Sequence, residues 1–237
     1  MTQSFGTSHV GRVRKNNEDR YLVRPEFGLY VVADGMGGAQ AGERASQMTI
    51  DTLSEEIEKK GKSATLSDLN EAVLEANRRV RAEAEAHAQY RGMGTTVVAV
   101  LVRPNAALVV NVGDSRLYKK TPDSFECITS DHSWVNEVGR SIGLSDEELK
   151  THAYRNMLTR AIGADGALET QTLEIEFAPG ETLLICSDGL HGVIDDTTLS
   201  ELVGQSSELK QRGEALIQSA LESGGPDNVT ALLISES

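Results

Sequence analysis

Four apolar runs in this chain meet an aspartate at one end, and this pattern constrains the fold more than any other feature of the sequence. YVVADG ends at Asp34, VVNVGD at Asp114 and LLICSDG at Asp188. In GGPDNVTALLI, Asp227 precedes the apolar run. Each of these aspartates adjoins Gly, Pro or Asn, residues that favour turns. A fifth acid, Asp19, stands just before another apolar run in RKNNEDRYLV. Short apolar runs bounded by turn residues read as buried strands. Strands sharing one sandwich could bring their acidic ends to a single rim. A plain turn explains any one such site taken alone, and Asp165-Gly166 reads as that.

The remaining segments alternate between helix and strand patterns. Residues 27–33 (FGLYVVA) form a strand candidate, and residues 41–60 carry Ala45, Met48, Ile50, Leu53 and Ile57 near helical spacing. Residues 59–65 read as a loop. Ser67, with Glu71 behind it, is the expected cap of a second helix, in which Leu69, Val73, Ala76 and Val80 share a face. Strands are expected at 95–102, 107–113, 115–120, 182–187 and 228–234. Their short connections favour antiparallel neighbours. A helix is expected around 209–221, and residues 131–162 read as partly exposed helix broken near Ile142-Gly143. The layout predicts a mixed α/β chain of the α+β type. It reads as one domain over residues 1–237, with two helical layers covering the sheet material.

Aspartates gathered at one rim repel. At an effective dielectric near 20, two charges ~4 Å apart cost about 4 kcal/mol. Their pKa values must rise unless cations sit between them. Carboxylate oxygens are hard donors that suit Mg²⁺ or Mn²⁺. Glycines beside them let backbone groups approach an ion closely, and Gly35 could offer its carbonyl. Structural turns remain the alternative at this level.

Bulk composition narrows the setting. Net charge is −13, from 36 acidic and 23 basic residues, which argues against nucleic acid and acidic membranes as partners. Cys127 and Cys186 fit neither a disulfide framework nor a zinc pattern, so a cytoplasmic setting is expected. The N-terminal stretch has no signal-peptide core, and the longest apolar run, 97–102, is far too short to span a membrane.

The ordered motifs RKNNED, VADGMGG, MGTT, VGDSR, TSDHS, CSDGL and GGPDNVT, spread from residue 14 to residue 230, resemble those of the type 2C protein phosphatases, the metal-dependent PPM family. The short chain and the Met in DGMGG resemble its bacterial branch. The resemblance implies a four-layer sandwich of two antiparallel β-sheets flanked by α-helices. It implies hydrolysis of phosphoserine and phosphothreonine in proteins, with two Mg²⁺ or Mn²⁺ ions per site. A hydroxide held between the ions attacks phosphorus, and no phosphoenzyme forms. By position, Asp34 matches the carboxylate that bridges the ions and Gly35 the carbonyl ligand. Asp19, Asp188 and Asp227 match the remaining ligands. Asp114 and Asp188 match the site of a third, weaker ion. Arg14 matches the arginine that holds the substrate phosphate. The partners implied are phosphorylated proteins, a serine/threonine kinase among them, and no appended interaction region argues against a monomer.

The match departs at Met36, where many eukaryotic relatives carry a histidine that protonates the leaving group; methionine cannot. His132 and His191 read as structural. Residues 133–156 match the family's variable flap over the site, with Trp134 expected at its base. A regulatory binding module that keeps the fold without turnover is the competing function. The five retained carboxylates and Arg14 speak against it. A phosphatase with an aspartyl nucleophile would need a D-x-D pair, and VADGMGG offers one acid.

Overall fold

The computed structural model describes residues 2–37, 41–205 and 207–236. Gly38, the last glycine of VADGMGG, lies outside them. In chain order the first elements are β1 (Thr2–His9), β2 (Asp19–Arg24), β3 (Leu29–Met36), α1 (Ala41–Lys60) and α2 (Leu66–Ala86). The strand-rich middle follows, with β4 (Gly94–Thr95), β5 (Val97–Arg103), β6 (Ala106–Val112), β7 (Arg116–Lys120) and β8 (Phe125–Cys127). The last part holds α3 (Asp146–Thr151), β9 (Gln171–Glu176), β10 (Thr182–Cys186), α4 (Asp188–His191), α5 (Asp196–Val203), α6 (Leu209–Glu222) and β11 (Val229–Glu236).

Among the described residues the strands form two antiparallel sheets. One has the order β1-β11-β10-β7-β8, the other β2-β3-β5-β6-β9 with β4 attached to β3. Alternation along β3 explains the layers. Tyr30 and Val32 point between the sheets, where they join Val98, Val109, Leu183, Ile185, Leu232 and Ile234. Leu29, Val31 and Ala33 point the other way, onto α1 and α2 through Ala45, Leu53, Leu69 and Val73. The opposite sheet packs on α4 to α6 through Leu184, Ala231, Leu199 and Leu216. The four-layer sandwich is therefore as expected.

Several local expectations change. The cap of α2 is Thr65, not Ser67. Thr65 Oγ1 accepts from the Asp68 N–H while the Asp68 carboxylate accepts from the Thr65 N–H at 2.9 Å. Residues 131–162 are less helical than their composition predicts, holding one π-type turn at Val135–Gly139 and the short α3. Close spacing makes β5 and β6 antiparallel partners, but β6 and β7 belong to different sheets. The chain crosses the sandwich at Gly113-Asp114-Ser115. Gly113 has φ +99°, and a Cβ there would press on the Thr96 side chain. His132 fixes this corner, accepting from the Gly113 N–H through Nδ1 at 3.2 Å.

Residues 133–156 leave the sandwich as an excursion closed by an antiparallel bridge between Ser133 and Leu158. Half-buried Trp134 sits at its base. Its ring stacks on His152 with centroids 4.3 Å apart and meets Tyr154 edge-on.

Candidate active site

The alternation that sends Tyr30 and Val32 between the sheets sends Asp34 there too, at the open end of β3. Its backbone is fixed on both sides. The Asp34 N–H donates to Thr96 Oγ1 at 3.0 Å, and the Asp34 carbonyl accepts from Thr95 Oγ1 at 2.8 Å and from the Thr96 N–H at 2.9 Å. The MGTT motif thus serves as the clamp for this aspartate. Gly35 must be glycine, since a Cβ would run into the Gly42 carbonyl of α1 and the Glu18 carbonyl.

Asp34, Gly35, Asp114, Asp188 and Asp227 all line one cavity of about 430 Å³, with Arg14, Glu18, Met36 and Asn156 around it. Asp188 opens α4 directly after β10, Asp114 occupies the crossover corner, and Asp227 precedes β11. Arg14 stands at the mouth and donates to the Asp227 carboxylate at 2.7 Å. The strand ends read from the sequence do meet at one rim.

Asp19 is placed differently. It pairs across strands with Asp34 but lies buried beneath the cavity wall. Its Oδ2 accepts from Ser187 Oγ and Thr230 Oγ1, both at 2.7 Å. Thr230 lies in β11 of the opposite sheet and Ser187 just past the end of β10, so Asp19 ties the two sheets together at the rim. Glu18, one residue earlier, is the acid that faces the cavity, and the sequence reading passed over it. Asn228 was also missed. It accepts from the Glu18 N–H at 2.8 Å and donates to the Val10 and Asn16 carbonyls, both at 2.9 Å. One amide therefore holds the loop carrying Arg14 and Glu18 against Asp227.

The electrostatics are those of charge crowding. Burial raises the Asp34 carboxyl well above the usual range, and repulsion from Asp19, Asp188 and Asp114 adds to it. Asp19 is pushed up to about 6, chiefly by burial. Asp114 is pushed up to about 7 by burial and by Asp188. Asp188 rises through burial and the nearby Asp227. His191 is half-buried, and its Nε2 donates to the Asp114 carbonyl at 2.9 Å. Burial lowers it to about 4, so it stays neutral as a structural prop.

Among the described residues no three such side chains form a ready-made coordination centre. The donor set nevertheless suits hard divalent ions, which keep several waters and use few protein ligands. Asp19 Oδ1 is buried without a hydrogen-bond partner. An orphaned carboxylate oxygen beside Asp34 and Asp188 is what a cation nearby would offset.

Fold and cavity together are those of a protein phosphatase. A family model described as Protein phosphatase 2C matches residues 5–232, and the chain belongs to that family, in its bacterial branch. It is 34% identical to the serine/threonine phosphatase stp of Listeria innocua over 99% of this chain and 95% of that one. The crystal structure of the Mycobacterium tuberculosis serine/threonine phosphatase PstP/Ppp superposes with a TM-score of 0.91 at 33% identity, covering 100% of this chain and 99% of that one. A second structure, the PstP catalytic domain in complex with two manganese ions, gives a TM-score of 0.88 at 32% identity, over 99% and 97% of the two chains.

Proposed function

We propose that this chain, a serine/threonine phosphatase by family, hydrolyses phosphoserine and phosphothreonine in proteins by direct attack of water on phosphorus at a pair of divalent ions. The observation that carries the reading is the convergence of Asp34, Asp188 and Asp227 on one cavity, from strand ends far apart in sequence. Asp34, Asp188, Asp227 and the Gly35 carbonyl would hold the ions, with Glu18 facing the same cavity. Asp19 supports them from behind. Asp114 and Asp188 would hold a third ion. When bound, such a pair lowers the pKa of a shared water and offsets charge on the phosphoryl oxygens.

The chain's own residues do the rest. The planar guanidinium of Arg14 at the cavity mouth binds phosphoryl oxygens and aligns the phosphorus. Thr95 and Thr96 hold Asp34 in place, and Thr96 Oγ1 is committed to Ser115 Oγ at 2.7 Å and to the Asp34 N–H. No cysteine, serine or histidine is among the described lining residues, which supports a route without a phosphoenzyme. Met36 cannot donate a proton, so water serves the leaving alkoxide. The partners are phosphorylated proteins, a serine/threonine kinase among them, met by a cytoplasmic monomer.

Hydrolysis of p-nitrophenyl phosphate with Mn²⁺ and its arrest by EDTA is the primary test. Asp34→Asn should remove turnover and most Mn²⁺ affinity by titration calorimetry. Unchanged Mn²⁺ binding would remove Asp34 from the site. Protein that binds Mn²⁺ and turns nothing over would favour a binding module.

A further inference from the structure

A phosphorylated side chain cannot enter the cavity without drawing its neighbours in the polypeptide across the rim. Consecutive residues of an extended chain advance about 3.3 Å, so the first two on either side must rest within ~7 Å of the mouth. What lies there decides which phosphoproteins fit. On one side of the mouth the wall is Met36, over a third exposed. Its far face lines a second groove of about 480 Å³, so the two cavities share this one side chain.

The floor of that groove is apolar. Met36 and Ala84 meet there with the buried Met93 and the backbone of Gly94 and Gly163. Gly94 makes the seat for Met36, because a Cβ at that position would stand 3.0 Å from Met36 Cε. The charged groups at the edge come in both signs, Arg81 and Arg91 against Glu85 and Asp165. Arg81 is further tied to the Gly166 carbonyl at 2.8 Å. With charges balanced, selection falls to the apolar floor, and a thioether wall adapts to side chains of differing shape.

We propose that this groove is a specificity subsite that takes an apolar side chain within two residues of the phosphoserine or phosphothreonine of the protein substrate. The inference rests on the phosphatase reading above and adds what flanks the phosphate. The groove adjoins the catalytic cavity across Met36, close enough for one substrate chain to reach both. Burying one added apolar group separates substrates by roughly 10-fold or more.

The test uses the Mn²⁺-loaded full chain and phosphothreonine peptides with Leu, Ser or Glu placed singly at each of the two positions on either side. The expected result is a KM about 10-fold lower for Leu than for Ser at one of these positions. Ala164, exposed at the groove edge and outside the lining of the catalytic cavity, supplies the blocking variant. Ala164→Gln should shrink the Leu preference to under about 2-fold and leave p-nitrophenyl phosphate turnover unchanged. Ala84→Gln should do the same from the groove floor. Peptide hydrolysis with less than about 2-fold discrimination in the wild-type chain overturns the proposal, as does a preference for Glu or a Leu preference that survives both variants. Failure to hydrolyse any peptide or p-nitrophenyl phosphate would instead overturn the phosphatase reading itself.

Discussion

At the scale of single residues, Asn228 is tied to both sides of the cavity. Removing its amide breaks its bonds to the Glu18 N–H and to the Val10 and Asn16 carbonyls. Unsatisfied buried groups cost about 1–3 kcal/mol each, softened where water enters. Asn228→Ala should therefore lose about 2–4 kcal/mol in urea unfolding, and kcat/KM on p-nitrophenyl phosphate should fall at least ~10-fold as Arg14 and Glu18 lose their anchor. Asn228→Asp, which keeps the acceptor and loses both donors, should fall short of recovery. The sequence shows the acids plainly because each closes an apolar run. It does not show which of Glu18 and Asp19 faces the cavity. Side chains alternate along a strand, so that choice depends on where β2 begins, and the polar loop before it carries no periodic signal.

Elements differ in how openly their sequences announce them. The α2 cap was written in the chain as Thr65 and Asp68 at capping-box spacing. Ser67 and Glu71 are four apart, one too many for the reciprocal bond. Thr65→Ala should cost about 1 kcal/mol in thermal or urea melts, while Ser67→Ala, at an exposed position, should stay within roughly 0.5 kcal/mol. Gly42 in α1 looks replaceable by helix propensity alone. Its Cβ would strike Glu18 Oε2 and stand 2.8 Å from the Gly35 carbonyl. Gly42→Ala should lower activity more than stability, read as a fall in kcat/KM with a Tm loss of a few degrees. Edge strands were the hardest to read. β1 mixes Ser, Thr and Gly with a single Phe, while β9 (QTLEIE) alternates with period two and was passed over for lack of a continuous apolar run. The β6–β7 crossover was hidden because a three-residue link resembles a hairpin, and only packing of the two sheets separates them.

For the whole molecule, the crowded carboxylates set the response to pH. Asp19 and Asp114 hold protons to about 6 and about 7, against 3.8 for an ordinary aspartate, and Asp34 and Asp188 shift the same way. The folded state binds these protons more tightly than the unfolded chain. Stability without metal therefore rises as pH falls through about 7 toward 3.8. His191 and His132, held neutral by burial, act in the opposite sense once pH drops below 6.5. Between pH 8 and pH 6.5 the carboxylates lead, and metal-free Tm should be higher at pH 6.5. Saturating Mn²⁺ should raise Tm more at pH 8, because ions bind the deprotonated acids. Differential scanning calorimetry in EDTA and in Mn²⁺ at both pH values reads both effects. A metal-free Tm that rises toward pH 8 would contradict the shared burial of these acids.

The pairing of β1 with β11 bears on how the enzyme comes into being. Arg14 and Asp227 meet across 213 positions of sequence, beside the antiparallel pair β1 and β11. A nascent polypeptide leaving the ribosome thus has no competent centre until β11 has emerged to pair with β1. A product interrupted before β11 lacks the strand that seats Asp227 opposite Arg14 and should be inert toward phosphorylated proteins.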